Sequence, residues 1–130
     1  MQKNPEYKDL IFDVISGMQK SIEIASKAGI LSNRIIVDPG FGFGKTLEHN
    51  YTLLKNLKSL RVLGYPIMVG TSKKAMIGKL LNVPPEERVE GTVATSSIAV
   101  LNGANILRVH DVKEALQAAK IVDFILGGNI

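Results

Sequence analysis

Arg34-Ile35-Ile36-Val37-Asp38-Pro39-Gly40-Phe41-Gly42-Phe43-Gly44-Lys45-Thr46 holds the transition that sets the architecture. Arg34 to Asp38 is a short apolar run rich in β-branched side chains, the pattern of a strand buried on both faces. Pro39 to Gly44 breaks regular structure. Thr46 then offers a helix N-cap, and Leu47, Leu53, Leu54, Leu57 and Leu60 supply an apolar helical face that ends at Gly64. Strand, glycine-rich turn and helix in that order make one βα unit.

The same unit recurs downstream. Pro66 to Gly70 reads as a second strand, and Ser72 can cap a short helix carrying Met76, Ile77, Leu80 and Leu81. Pro84-Pro85 forces a break, and a longer helix is expected from about Glu86 to Asn102, stopped by Gly103. Ile106 to His110 is the third strand. Asp111 and Glu114 suggest an acidic capping box for a last helix running to about Leu126, before Gly127-Gly128. Upstream, Leu10, Ile11, Val14, Ile15, Met18, Ile22 and Ala25 recur at helical spacing. Asn4-Pro5 opens that helix and Gly29 stops it, so it should span about residues 5–28. Long crossovers demand parallel strands. The α/β order fits either a doubly wound sheet or part of a (βα)8 barrel, and periodicity does not choose. Residues 1–130 read as a single segment with no second domain.

Composition narrows the class. The 130 residues are 45% hydrophobic and 22% charged, ordinary for one soluble unit with a sizeable core. Without cysteine, a disulfide framework and any thiolate-held zinc or iron–sulfur centre are excluded. No apolar run reaches the roughly 20 residues of a membrane helix. The start, Met1 to Leu10, lacks the apolar stretch of a secretory signal, so a cytoplasmic location with no membrane partner is expected. The net charge of +4 and pI of about 9.4 come from scattered lysines. They point to an anionic ligand rather than nucleic acid, because aromatics are only 5% and tryptophan is absent.

In both architectures ligands bind beyond the carboxyl ends of the strands. That rule selects Asp38, the turn from Gly70 through Thr71, Ser72, Lys73 and Lys74, and the pair Arg108 and His110. Two apart on one strand, Arg108 and His110 share a side. An anion or a carboxylate would satisfy them. The alternative is an Arg108–Asp38 structural pair beside a core histidine. Gly44-Lys45-Thr46 looks like the end of a phosphate loop, but that motif needs glycine where Pro39 stands. The dinucleotide pattern fails too, since its third glycine would fall on Lys45. Phe41 and Phe43 are costly to expose on such a loop unless they cover a core or a ligand. Ser72 to Ala75 would present free N–H groups at a helix N-terminus, with Lys73 and Lys74 adding charge. Glu48 and His49 read as surface, and Glu86-Glu87-Arg88 as a solvated helix start. The small side made by Gly91, Thr92, Ala94, Thr95, Ser96 and Ser97 suits close helix packing, internal or between copies.

Taken together, Asp38-Pro39-Gly40-Phe41-Gly42-Phe43-Gly44-Lys45, then Gly70-Thr71-Ser72-Lys73-Lys74, then Arg108-Val109-His110-Asp111 resemble three consecutive C-terminal signatures of the dihydropteroate synthase family. Met1-Gln2-Lys3-Asn4-Pro5 resembles the segment after that family's fifth barrel strand. The resemblance implies the last three βα units, plus the preceding helix, of a TIM (β/α)8 barrel. It implies transfer of a dihydropterin from its pyrophosphate to p-aminobenzoate in folate synthesis, assisted by Mg²⁺, in a homodimer when full length. Carried over, Asp38 would hold the pterin's donor edge, since a carboxylate matches two parallel N–H groups. Lys74 would bond its acceptor atoms, Arg108 would lie against its face, and His110 would contact departing pyrophosphate. Lys74, Arg108 and His110 would thus be catalytic. Phe43 and the turn from Ser72 to Ala75 would shape the aminobenzoate pocket, and Gly42 would be a further substrate-binding residue.

Two departures stand out. The family usually reads Ser-Arg-Lys-Ser where this chain has Ser72-Lys73-Lys74-Ala75, which removes one hydroxyl available to aminobenzoate or a sulfonamide. The family's N-terminal metal-binding asparagine and early pterin contacts have no counterpart, so no metal ligand is expected in this segment. Such a barrel takes about 250 residues, so this chain alone should be inactive. Other readings are a nucleotide-binding α/β protein using Gly40 to Thr46, and a non-catalytic half-barrel that self-associates through open strand edges.

Overall fold

A computed structural model describes residues 7–128. Helix α1 (Tyr7–Lys27) presents Leu10, Ile11, Val14, Ile15, Met18 and Ile22 to the core. It ends as its glycine predicts. Gly29 takes φ +94°, its N–H donates to Ser26 O, and Ile30 N–H donates to Ala25 O, which together close the last helical turn. The expected Asn4-Pro5 start lies outside the described residues.

Thr46 caps α2 (Leu47–Lys55), its Oγ1 accepting from His49 N–H at 3.1 Å. The helix expected to reach Gly64 stops at Asn56 and continues as a 3-10 segment, Leu57–Leu63. Leu53, Leu54, Leu57 and Leu60 are buried all the same, because the tighter winding keeps them on one side. Strand β1 (Met68–Val69) pairs in parallel with β2 (Ile106–Leu107), and Val37 makes a parallel bridge to Ile67 on the other side. Val37, β1 and β2 thus lie side by side in chain order, and the parallel expectation holds. The run 34–38 contributes a single bridge residue rather than a full strand.

That run is covered on one face only, not two. Val37, Ile67 and Val69 point into the helices and are buried. On the opposite face Ile36 is 51% exposed, and Asp38, Arg108 and His110 are exposed as well. No helix packs there among the described residues, so the alternation of the pleat leaves a mixed apolar and charged face open.

Helix α3 (Ala75–Leu81) begins three residues after Ser72, which does not cap it; the N-cap position is Lys74, without a side-chain bond. The helix expected over 86–102 is a 3-10 turn at Pro85–Glu87 followed by α4 (Val89–Leu101). Asp111 precedes α5 (Val112–Ile125) but makes no side-chain cap, so the acidic capping box does not form. The small side of α4 packs internally: Thr92, Thr95, Ser96 and Ala99 are buried, and Ile77 lies so close to Gly91 that a Cβ there would overlap it. Its Thr95 hydroxyl is bonded to the Thr71 hydroxyl at 2.8 Å. On its other side α4 packs against Ala115, Ala118 and Val122 of α5.

Candidate functional site

Three loops leave the carboxyl ends of the three parallel segments at one end of the sheet, and each carries expected site residues. The first loop is closed by its own lysine. Lys45 Nζ donates to Pro39 O at 3.0 Å, Gly40 O at 2.8 Å and Phe43 O at 3.4 Å. Gly40 N–H donates to Asp38 Oδ1 at 2.8 Å, Gly42 N–H to Asn50 Oδ1 at 2.7 Å, and Phe43 N–H to Gly40 O at 3.2 Å. These three loop amides face protein acceptors, so the loop does not offer the cradle of free N–H groups that phosphate binding requires. Gly40, Gly42 and Gly44 all adopt positive φ, which the turn imposes and only glycine takes without strain. Phe41 is fully buried, covering the core. Phe43, at 77% exposure, covers no core.

The second loop reaches back to the first. Lys74 Nζ donates to Phe41 O at 2.6 Å and sits 5.2 Å from the centre of the Phe43 ring. Burial lowers the Lys74 pKa, Asp38 works against that shift, and Arg108 adds to it. Burial also lowers Lys45, with Lys74 adding to the shift and Asp38 opposing it. Lys74 therefore lies in the field of Asp38 and Arg108, and Lys45 in that of Lys74 and Asp38. The alternative Arg108–Asp38 ion pair does not form; among the described residues the ion pairs are Lys27–Glu23 and Lys73–Asp111, each at 3.9 Å. The Asp111 Oδ2 atom in the latter is buried without a hydrogen-bond partner. Gly42 lies beside the Lys74 stem, and Ala75 is exposed at the first position of α3.

Lys73 takes φ +58°, an uncommon conformation for a side-chain-bearing residue. It is held on both sides of its backbone. Its N–H donates to Thr92 Oγ1 at 3.0 Å, and its carbonyl accepts from Arg88 Nη1 at 2.8 Å. The Lys74 N–H is also used, donating to Thr71 O at 3.1 Å. The free N–H groups expected from Ser72 to Ala75 are thus partly spent inside the turn. Arg88, expected to be solvated, is a bracket for this turn, and it also donates to Val83 O at 3.2 Å. Gly78 makes room for it, since a Cβ at that position would overlap the guanidinium.

The third loop completes a cavity of about 200 Å³ lined by Gly70, Ser72, Lys74, Arg108, Val109 and His110. Gly70 lies beside Arg108, where a Cβ on Gly70 would sit in ordinary contact at 3.6 Å from Arg108 Cβ. Ser72 Oγ lies 2.7 Å from His110 Nδ1 and accepts from His110 N–H at 3.1 Å. Asp38, Lys74, Arg108 and His110, the candidates picked from the sequence, lie at one end of the open face. Lys45, Asn50, Arg88 and Thr92 are not legible in the sequence as supports, because each acts through a contact distant in sequence or on a main-chain atom. Among the described residues no group of three or more His, Asp or Glu side chains could hold a metal ion. The cavity, with one histidine and two cations, does not fit magnesium by itself.

The profile of the pterin binding enzyme family matches residues 1–110. A dihydropteroate synthase of Clostridium beijerinckii is 50% identical over 124 residues, covering 95% of this chain and 46% of that protein. The structure of Yersinia pestis dihydropteroate synthase with a sulfonamide drug superposes with a TM-score of 0.90 at 49% identity, over 97% of this chain and 46% of that one. The Coxiella burnetii dihydropteroate synthase in complex with pteroic acid gives 0.91 at 41% identity, over 93% and 46%. The chain spans less than half the length of these relatives.

Proposed function

The chain belongs to the pterin-binding enzyme family, and from this we infer that it forms the last three βα units and preceding helix of a (βα)8 dihydropteroate synthase. One observation carries the reading: Asp38, Lys74, Arg108 and His110, from three separate loops, meet at the carboxyl ends of adjacent parallel segments on an uncovered face. Two further features support a partial barrel. One edge of the sheet opens on a hollow of about 230 Å³ lined by Met18, Ile22 and Ile36, among others. The other edge opens on one of about 240 Å³ lined by Leu107, Val109 and Leu116, among others. Both are where a neighbouring βα unit would continue the layer.

In this reading Asp38 accepts from the pterin's adjacent N–H groups and Lys74 donates to its acceptor atoms. Arg108 lies against the ring, and His110 faces the pyrophosphate. Phe43 and Ala75 border the p-aminobenzoate, and a sulfonamide would compete there. The new C–N bond forms at the pterin methylene as the C–O bond to pyrophosphate breaks, and the amine loses one proton. Charge develops on the leaving oxygens, so Lys74, Arg108 and His110 contribute preorganised electrostatic stabilisation, with no protein nucleophile. Magnesium would be held mainly by residues outside this chain. Cytoplasmic location and a homodimer of the whole enzyme belong to the same proposal.

The isolated chain should form no dihydropteroate from dihydropterin pyrophosphate and p-aminobenzoate, because half the barrel that closes over the pterin is not supplied. Product formation by the purified chain would refute that. The nucleotide-binding alternative loses its support, since the glycine-rich loop uses its amides internally.

A further inference from the structure

We propose that Ser72 is a positioning residue that fixes the tautomer of His110, so that its Nε2–H is held as a donor toward the cavity shared with Lys74 and Arg108. The count of hydrogens available to Ser72 and His110 fixes the arrangement. A serine hydroxyl has one hydrogen to give and two lone pairs to receive. The His110 backbone N–H has a hydrogen to give and takes one lone pair of Ser72 Oγ, at 3.1 Å. The other partner of Oγ is His110 Nδ1, at 2.7 Å. Ser72 is buried, and its hydroxyl has no third partner among the described residues. Were Nδ1 protonated in the neutral ring, both contacts would be donated to Oγ and the hydroxyl hydrogen would have no protein acceptor among the described residues, which is costly for a largely buried group. The arrangement that satisfies every group has Oγ–H donating to Nδ1. The neutral imidazole must then carry its proton on Nε2.

The consequence is a fixed donor on an exposed side chain. Ring and main chain of His110 are both tied to one oxygen, which removes ring rotation as well as the wrong tautomer. A wrong tautomer would aim a lone pair at an incoming anion. The hydroxyl is reserved for the histidine, so Ser72 acts through His110 instead of touching the substrate. The identity of the anion, a phosphate ester or pyrophosphate, rests on the reading of the previous section; the tautomer does not.

The test separates the two. The chain has two histidines, His49 and His110, so ring nitrogens labelled with ¹⁵N can be assigned directly, at about pH 8 where an ordinary histidine is neutral. His110 should show a protonated Nε2 and an unprotonated Nδ1. Ser72→Ala should move it to a mixture of tautomers while His49 stays unchanged, and Ser72→Thr should restore the original pattern. Titration with inorganic pyrophosphate should show roughly five- to tenfold weaker binding at His110 in Ser72→Ala, as expected for one lost orienting bond. A protonated Nδ1 in the unmodified chain overturns the proposal, and needs no variant. An unchanged tautomer in folded Ser72→Ala also overturns it. If pyrophosphate does not bind the unmodified chain while the tautomer is as stated, the anion assignment fails and the role of Ser72 stands.

Discussion

Asp38 accepts one hydrogen bond from the adjacent Gly40 N–H and has no ion-pair partner within 4 Å among the described residues, which leaves carboxylate capacity for a ligand with two parallel donors. Asp38→Asn keeps the shape and replaces an acceptor with a donor. In an enzyme containing this segment it should weaken pterin binding by about 2 kcal/mol or more, the scale of a charge-assisted pair turned against itself. Unchanged pterin affinity by calorimetry would remove the assigned role. The lysines add a pH signature. Lys45 and Lys74 lose their protons more readily folded than unfolded. Between the lowered value and the ordinary lysine value the unfolded chain holds more protons, so their contribution to stability rises with pH across that window and is least favourable below it. Burial raises Tyr51, whose hydroxyl donates to Met76 O, and this gives the opposite slope at higher pH. The difference in urea midpoint between the unmodified chain and Lys74→Met should therefore change with alkaline pH. A constant difference would argue against the depressed value. Asp38, Arg108 and His110 are legible as candidates because charged residues stand at strand ends among apolar ones. Arg88 and Thr92 are not, since their partners are the main-chain atoms of Lys73.

Among the elements, glycine in helices gives the clearest contrast. Gly17 in α1 has nothing within 4 Å of a built Cβ, whereas Gly91 in α4 would place one onto Ile77. Gly17→Ala should stabilise the chain by about 0.5–1 kcal/mol, by helix propensity and reduced freedom of the unfolded chain. Gly91→Ala gains the same propensity and loses more, about 1–3 kcal/mol, to overpacking. The net sign should reverse, as read by urea unfolding; stabilisation by both would contradict the close α3–α4 packing. Helix α1, the Thr46 cap and the Gly29 stop were readable from local chemistry. Two local readings fail because a longer-range partner claims the group: Ser72 bonds His110, and Asp111 faces Lys73. The strand at 34–38 looked buried on both faces because apolar composition does not say whether a covering layer is supplied by the same chain.

At the scale of the molecule, the described residues leave an open sheet face, two unpaired sheet edges and an exposed apolar side of α5, with Phe124 at 75% and Ile125 at 69% exposure, all surfaces that water tolerates poorly. The isolated chain should self-associate, with apparent mass rising with concentration in light scattering; a monomer at all concentrations would count against open edges. The central claim is that this chain supplies the C-terminal half of a dihydropteroate synthase site. Its most direct test is a chimaera in which residues 1–130 replace the matching segment of a full-length relative. Dihydropteroate formation is then measured from dihydropterin pyrophosphate and p-aminobenzoate. The account predicts that the chimaera turns over and that Asp38→Asn within it abolishes or cripples turnover. A folded chimaera that makes no product, or one indifferent to Asp38→Asn, would contradict it.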